Sequence, residues 1–334
     1  MKKQPFISVI IPTLNRKQVL AEALLSFNKV AYPRDRLELV LVSDGSTDGT
    51  DKMVTTIKKK LNYHFVFVKK ARGGISAAKN AAIKKSRGQI IVSTDDDCLF
   101  ESKWLQKLTA PFADPRIGSV GGPDRAIKKE SILAKSIDFA FSSFIGSGGI
   151  HGRFLKVKLG NFYPVGCNMA FRRSLVKKIG YFDESLAPGE ETDFNHRIEK
   201  AGFKIVLVRE AFVWHRPRNS IKRFIPFAFK RGMARVEIVR RHRQYAELIY
   251  FLPAIMILVA ACLLLLGFFF SIFWKLFVGL LMIYLLLIFS AGFSSALTYR
   301  HPLYFFSVPF LIFLQHALHG SGFLFAFIKL IEKK

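Results

Sequence analysis

The sequence is short of cysteine and of acidic side chains. It has 3 cysteines in 334 residues, and 24 aspartates and glutamates against 51 lysines and arginines. Cys98, Cys167 and Cys262 show neither paired nor zinc-type spacing, which excludes a disulfide framework or a zinc ribbon as the basis of the fold. Cys262 lies inside a long apolar stretch. We therefore expect three structural thiols in a reducing compartment.

Two common nucleotide-binding sequences are also missing. No G-x-G-x-x-G follows the first predicted strand and no Walker sequence occurs, which disfavours dinucleotide oxidoreductases and P-loop enzymes. The amino-terminal apolar run is short and stops at Pro12 without a small-residue cleavage site. We interpret that run as a strand and not as a signal peptide.

The net charge of +27 raises the question of nucleic acid. The densest basic run, residues 215–243, directly precedes an apolar stretch, where anionic lipid headgroups are the nearest counter-charge. No nucleic-acid-binding signature occurs, so we predict no nucleic-acid partner. Residues 216–246 interleave arginine and lysine with isoleucine and phenylalanine and are predicted to lie on the bilayer interface. By the positive-inside rule, the domain before them is cytoplasmic.

The carboxyl-terminal third consists of long apolar stretches. Residues 248–270 and 276–299 carry no ionised side chain, and each is predicted to span a membrane. A third stretch, 303–329, is interrupted by polar residues and glycines, so it is either a span or a re-entrant or interfacial segment. We expect a multi-pass protein of the cell membrane, with two or three transmembrane helices in residues 247–334.

Residues 1–215 are predicted to form one α/β domain. Apolar runs beginning near residues 6, 37, 63, 89 and 117 alternate with helical patterns at 16–28, 48–60, 75–86 and 101–113. Strands this apolar are typical of a mainly parallel, Rossmann-like sheet with helices on both faces. In such sheets ligands bind beyond the carboxyl ends of the strands. The residues that follow each run are therefore the candidates for a site.

Three carboxylates, Asp95, Asp96 and Asp97, follow one of these runs directly. Carboxylates this close repel each other unless a cation binds, and an oxygen-liganded Mn²⁺ or Mg²⁺ would also neutralise a diphosphate. A solvated acidic turn before the next helix is the alternative interpretation. KIVLVREAFVWH is the last predicted strand. His215 at its end is either a partly buried histidine or a ligand of the same metal.

Other strand ends carry polar groups that suit a nucleotide. Asp44 opens SDGSTDGT, which resembles the start of a calcium loop, but the twelfth position is Thr55 instead of glutamate. The carboxylate of Asp44 is therefore a candidate to accept from a base or ribose. Arg72, followed by Gly73 and Gly74 before a helix, offers a cation and close backbone approach to a phosphate.

A second acidic group opens a later helix. Glu190, Glu191 and Asp193 stand in its first turn, where acids are expected simply because they complement the helix dipole. The functional interpretation is that one of them is a general base that deprotonates an acceptor hydroxyl.

Taken in order, seven segments closely resemble the family 2 glycosyltransferases of GT-A fold: SVIIPTLNR, LVSDGSTDGT, GGISAAKNAAI, STDDDC, GCNMAFRR, GEETDFNHRI and VWHR. The resemblance covers roughly residues 6–216. It implies a GT-A sheet followed here by transmembrane helices. It also implies an inverting transfer of one sugar from a nucleotide-sugar.

The resemblance also implies residue roles. The nucleotide-sugar would be bound by Pro12, Thr13, Asn15, Asp44, Arg72, Asp95 and Asp96. The metal would be held by Asp97, His215 and Asp95, and the catalytic candidates are Glu191 first, then Glu190 and Asp193. Two departures matter: the ArN of the family is Lys79-Asn80 here, and its QxxRW is absent after His215. The second departure favours single-sugar transfer over chain polymerisation.

The expected function is therefore metal-dependent sugar transfer to a polyprenyl phosphate or a lipid-linked glycan. The donor is expected to be a UDP-sugar, the usual preference of the family. Two alternatives stay open: a soluble or protein acceptor, with the helices serving only as an anchor, and an inactive membrane scaffold. The sequence leaves the sugar, the acceptor and the oligomeric state undecided.

Overall fold

The computed structural model describes residues 4–127, 130–148, 163–186 and 188–332. The chain forms two compact units. The α/β unit contains Met1–Ile127 and Asn161–Arg216, and the helical unit contains Lys128–Gly160 and Pro217–Lys334. The helical unit thus includes the described residues 130–148, which lie within the domain predicted for residues 1–215.

Ten strands occur in the described part of the α/β unit: β1 Ile7–Thr13, β2 Leu37–Asp44, β3 His64–Lys70, β4 Ile90–Thr94, β5 Cys98–Leu99, β6 Ile117–Gly121, β7 Asp124–Ala126, β8 Asn168–Arg172, β9 Lys204–Leu207 and β10 Val213–His215. Seven form the main sheet in the order β3-β2-β1-β4-β8-β6-β9. Within this seven-stranded sheet, β8 is the one strand that runs antiparallel to its neighbours. The predicted mainly parallel sheet is confirmed.

The helices of the α/β unit are α1 Lys17–Phe27, α2 Thr50–Ile57, α3 Ile75–Lys85, α4 Trp104–Thr109, α7 Arg173–Ile179 and α8 Glu190–Lys200. Those of the helical unit are α5 Ile132–Ser142, α6 Phe144–Ser147, α9 Ile221–Arg241, α10 Leu252–Gly267, α11 Ser271–Tyr299 and α12 Tyr304–Ile331.

Both faces of the main sheet are covered, as the apolar strands predicted. All of β1 and β2 is buried. Val9 and Ile11 pack on one face with Phe27 of α1, whereas Ile10 packs on the other face in a cluster with Ala78 of α3. Alternate side chains of one strand enter opposite cores because the strand period is two residues.

The segment KIVLVREAFVWH was expected to form one strand, and this prediction is wrong. The structure divides it into β9, which pairs with β6, and β10, which pairs with β5 and β7 in a second, three-stranded sheet. A turn in which Ala211 N donates to Val208 O separates the two strands. A Cβ on Gly122 would lie 1.7 Å from Ala211 O, so the chain can turn here only because residue 122 is glycine. The turn brings His215 into the second sheet.

The basic stretch before the apolar region forms α9, which includes Pro226. Two glycines let α9 and α12 pack closely, since a Cβ on Gly232 would lie 1.9 Å from His319 O and one on Gly322 would lie 2.1 Å from Phe229 O. Small residues at such crossings allow the backbones of apolar helices to approach each other.

Two helices, α11 and α12, are long and apolar enough to cross a membrane by length and composition. The stretch predicted at 303–329 is one continuous helix. The stretch predicted at 248–270 forms a short 3-10 turn at Leu248–Tyr250 and then the 16 residues of α10, with Pro253 in its first turn. At 1.5 Å per residue, α10 is about 24 Å long, which is shorter than a typical hydrocarbon core.

Candidate active site

Three neighbouring strands bring the predicted polar groups to one edge of the sheet. β1 lies between β2 and β4 and runs parallel to both, so Thr13, Asp44 and Thr94 end their strands at the same edge. Thr13 Oγ1 donates to Asp96 Oδ2 at 2.7 Å. Pro12 is tolerated inside β1 because the pairing with β4 extends only to Ile10.

Asn15 fixes the loop that follows β2. Its side-chain Oδ1 accepts from Thr47 N at 2.7 Å and from Asp48 N at 3.3 Å, and its own backbone N–H donates to Ser46 Oγ. Asn15 adopts a positive φ of 54°, a conformation that asparagine tolerates better than most residues. The exposed side chain therefore shapes the edge where a nucleoside is expected.

The carboxylate of Asp44 is buried and hydrogen-bonded within the protein. Its Oδ1 accepts from Lys70 Nζ at 2.6 Å and Gly73 N at 3.0 Å, and its Oδ2 accepts from Gly74 N at 2.7 Å. The sequence suggested a carboxylate that accepts from a base or ribose. In the structure Asp44 also holds the 70–74 loop, in which the Arg72 side chain is exposed.

His215 joins the acidic group through the second sheet. β10 pairs with β5 and β7, which places His215 Nε2 3.1 Å from Asp97 Oδ1 and His215 Nδ1 3.2 Å from Asp124 Oδ2. Burial disfavours the imidazolium, but the interaction with Cys167 and the hydrogen bonds with Asp124 and Asp97 outweigh it and raise the pKa of His215 well above its usual value. The sequence analysis did not identify Asp124, because no local motif marks this residue.

The donor set suits a divalent cation. An imidazole nitrogen and a carboxylate oxygen converge, and a second carboxylate on the other ring nitrogen orients the ring, which is the usual support of a metal-bound histidine. Cys98 Sγ also lies within 4.8 Å of the Asp97 and His215 ligand atoms. Burial raises the pKa of the Cys98 thiol, which disfavours the thiolate form that a metal would bind.

Arg16 is a cation at this site that the sequence analysis did not assign. Its Nε lies 3.3 Å from Asp96 Oδ1, and its guanidinium also forms an ion pair with Asp97. Burial, followed by the charge of Asp97, raises the pKa of Asp96 to about 7. The position of Arg16 next to the predicted Thr13 and Asn15 was the available signal.

The acids of α8 lie around a buried lysine. Lys79 Nζ, from α3, is 3.0 Å from Glu190 Oε1 and 2.8 Å from Glu191 Oε1. Burial and the charge of Glu191 raise the pKa of Glu190 to about 7. Burial acts in the same direction on Glu191, but the charge and hydrogen bond of Lys79 outweigh it and hold the pKa of Glu191 below its usual value.

Asp193 is engaged elsewhere on α8. It is 3% exposed, and its Oδ2 accepts from Arg197 Nε at 2.9 Å. Arg197 also donates to the backbone carbonyls of Ile179 and Tyr181. This ion pair connects α8 to the chain that follows α7.

Glu191 lies close to the end of β4. Thr94 Oγ1 donates to Cys167 O at 2.8 Å, and a Cβ on the preceding Gly166 would lie 2.0 Å from Glu191 Oε1. The structure thus brings the aspartate group after β4 and the glutamate pair of α8 to the same region of the α/β unit.

The sequence profile described as Glycosyl transferase family 2 matches residues 8–180, slightly more than half of the chain. The chain belongs to glycosyl transferase family 2. It is 28% identical over 268 residues to the probable glycosyltransferase YdaM of Bacillus subtilis, with 75% of this chain and 62% of that protein covered. The chain thus spans less than two thirds of the length of that relative.

A second relative is similar over its whole length. The chain is 25% identical over 333 residues to the dolichyl N-acetyl-alpha-D-glucosaminyl phosphate 3-beta-D-2,3-diacetamido-2,3-dideoxy-beta-D-glucuronosyltransferase of Methanococcus voltae, covering 97% of this chain and 98% of that protein. Among solved structures, the mannosyltransferase PcManGT from Pyrobaculum calidifontis, in complex with GDP-Man and Mn²⁺, has a TM-score of 0.66 at 20% identity. The match covers 94% of this chain and 86% of that one. This likeness shows the GT-A fold.

Proposed function

We propose that the chain is an inverting, metal-dependent glycosyltransferase that moves one sugar from a nucleotide-sugar to a lipid-linked acceptor at the cytoplasmic membrane face. The observation that carries the proposal is the position of Glu191. Its side chain is 23% exposed and contacts a fully buried lysine, near the end of the strand that carries Asp95, Asp96 and Asp97. A carboxylate kept ionised beside a donor site is what a general base requires.

The nucleotide-sugar would bind at the carboxyl edge of β1, β2 and β4. Pro12 and Thr13 end β1, Asn15 shapes the adjacent loop, and Asp44 holds the loop that presents Arg72. Asp95 and Asp96 would face the ribose side of the site. A UDP-sugar is the donor we propose, on the usual preference of the family.

The residues present fit a divalent cation, so Asp97 and His215, with Asp95 nearby, would hold Mn²⁺ or Mg²⁺. When bound, such a cation supplies positive charge that stabilises a departing diphosphate. PcManGT, the neighbour of the same fold, was solved with Mn²⁺. Asp124 would keep the His215 ring in place through the contact at Nδ1.

The transfer is a single displacement. The acceptor oxygen forms a bond to the anomeric carbon while the bond from that carbon to the nucleoside diphosphate breaks on the opposite face, which inverts the configuration. Glu191 takes the proton of the acceptor hydroxyl, and the exposed Arg72 guanidinium stabilises the negative charge of the departing diphosphate. Asp193 is left out of this step because Arg197 holds its carboxylate.

The acceptor is proposed from the relatives and the helical unit. The Methanococcus voltae relative carries in its name a dolichyl-linked sugar phosphate, and α11 and α12 are long enough to cross a membrane. The basic helix α9 suits the anionic cytoplasmic surface. A polyprenyl phosphate, or a sugar carried on one, is therefore the proposed acceptor class.

The test measures release of nucleoside diphosphate and labelled lipid product by full-length protein in detergent. A panel of UDP- and GDP-sugars is supplied with polyprenyl phosphate or a polyprenyl-linked sugar, with Mn²⁺ or with EDTA. We expect turnover of one donor with Mn²⁺ only, and losses of about 100-fold or more for Asp97→Ala and Glu191→Gln. Glu210→Gln, an exposed site between β9 and β10, is the matched control and should leave turnover unchanged.

Other outcomes would overturn parts of the proposal. Turnover that persists in EDTA would exclude metal dependence, and product with retained configuration would exclude a single displacement. Transfer to soluble sugars but not to lipid would favour the anchored enzyme with a soluble acceptor. Absence of donor binding and of turnover with every donor and acceptor would favour an inactive scaffold.

A further inference from the structure

Lys79 is a fully buried cation beside the proposed base. Its side chain is 0% exposed, its ammonium contacts Glu190 and Glu191 within 3.0 Å, and it lies 5.3 Å from the centre of the Phe182 ring. Lysine is almost never fully buried unless it is paired. Removing its charge from water is costly, and close carboxylates must offset that cost.

Several acidic side chains interact with the ammonium of Lys79. Glu190 and Glu191 are both acids, and a third acid, Asp95, which follows β4, also interacts electrostatically with the ammonium. The ammonium therefore interacts with three carboxylates, of which Asp95 also interacts with His215. Without Lys79 the carboxylates would repel each other, and at least one would take up a proton at neutral pH. Glu191, whose pKa the ammonium of Lys79 lowers, would then lose part of its charge or, as the more exposed of the α8 pair, move toward solvent.

Gly166 leaves room for the Glu191 carboxylate. A Cβ at residue 166 would lie 2.0 Å from Glu191 Oε1, the same oxygen that accepts from Lys79 Nζ at 2.8 Å. This oxygen thus contacts the ammonium and lies next to the bare Cα of a glycine. Because a misplacement of about 1 Å can cost 100-fold in rate, the position of this oxygen matters for a base.

We propose that Lys79 is a positioning residue for catalysis: its buried ammonium fixes the Glu191 carboxylate in the place and charge state that proton abstraction requires. The inference rests on the proposed role of Glu191. Lys79 acts through Glu191 and does not touch the reacting atoms. A compact ammonium suits two single contacts with separate carboxylates, whereas a guanidinium is shaped for a bidentate contact with one.

The test compares Lys79→Met, which removes the charge, with Lys79→Arg, which keeps it. We expect Lys79→Met to lower kcat by about 100-fold, to change the KM for the donor by less than about threefold, and to move the acid limb of the pH–rate profile to higher pH by about one unit. Lys79→Arg should recover a measurable part of kcat and the wild-type acid limb. Lys85→Met, an exposed position of the same helix, should behave as wild type.

A double variant separates positioning from general damage. In a Glu191→Gln background, Lys79→Met should cost no further activity, because the group on which Lys79 acts is already lost. An equal loss in both backgrounds, or a wild-type acid limb in Lys79→Met, would overturn the inference. Thermal unfolding shows whether Lys79→Met is folded. If it is not, kcat and the pH–rate profile are measured on the double variant Lys79→Met and Glu190→Gln, which removes both buried charges.

The outcome also distinguishes this inference from the proposed function. If wild-type protein transfers no sugar, the proposed function fails. If wild type is active and Glu191→Gln is not, but Lys79→Met keeps the wild-type rate and pH profile, only the role of Lys79 is overturned.

Discussion

The imidazole of His215 lies 3.1 Å from the carboxylate of Asp97, although the two residues are far apart in the sequence. The pairing of β10 with β5 produces this contact. Asp124 contacts the other ring nitrogen at 3.2 Å. An imidazole held between two carboxylates has one fixed orientation, which is the arrangement expected at a metal site.

We predict that His215→Ala weakens Mn²⁺ binding by at least about tenfold and that Asp124→Asn weakens it by about 10- to 100-fold, since outer partners of a metal-bound histidine have effects of this size. Calorimetric titration with Mn²⁺ in the absence of donor measures both. Unchanged affinity in both variants would place the metal elsewhere. Glu210→Gln, which removes an exposed acid outside the site, is the control.

Arg16 is predicted to compete with the metal. Its guanidinium neutralises Asp96 and Asp97, so an incoming cation must displace it. Arg16→Met should strengthen Mn²⁺ binding to the donor-free protein, by roughly the tenfold that about 1.4 kcal/mol represents. Weaker binding in the same titration would show instead that Arg16 supports the site. Arg125→Met, which removes a cation from the neighbouring β7, is a suitable comparison.

Glu190 is predicted to govern stability near neutral pH. Its pKa of about 7 in the folded protein lies above that of an unfolded glutamate. Its contribution to stability is therefore fully present below about pH 4 and is lost as the pH rises through 7. Glu190→Gln mimics the protonated form, so the midpoint of thermal unfolding should fall less between pH 5 and 8 than in wild type. An unchanged slope would show that Glu190 is ionised throughout.

The same variant distinguishes the two glutamates. Because Glu190 is 2% exposed and Glu191 is the more exposed of the pair, we expect Glu190→Gln to keep at least about a tenth of wild-type kcat at pH 7. Glu191→Gln should lose about 100-fold or more. The reverse order of the two losses in the release assay would assign the base to Glu190.

The crossing of α9 and α12 should tolerate no side chain at residue 232. A Cβ there would lie 1.9 Å from His319 O, so Gly232→Ala forces the two helices of the helical unit apart. We expect a loss of about 1–3 kcal/mol, measured as a lower unfolding temperature in detergent. Gly279→Ala in α11 is the control because a Cβ there meets nothing within 4 Å. Equal stability of the two variants would contradict the close packing.

Much of the fold could be predicted from the sequence because the signals are local. Fully buried strands such as β1 and β2 must be continuously apolar, and the helices between them leave a helical pattern, so a mainly parallel sheet follows. The segment after α8 could not be predicted in this way. Its two apolar halves, β9 and β10, join different sheets, and a close approach between Gly122 and Ala211 decides where they separate.

An acidic site at the strand ends and an apolar helical region could be predicted because both follow from composition and from local order along the chain. Which charges meet depends on the three-dimensional fold. Lys79 faces Glu190 and Glu191, Arg16 faces Asp96 and Asp97, and Asp44 holds a loop. These contacts join residues far apart in sequence, and their strength depends on burial and on distances of about 3 Å, which no local pattern encodes.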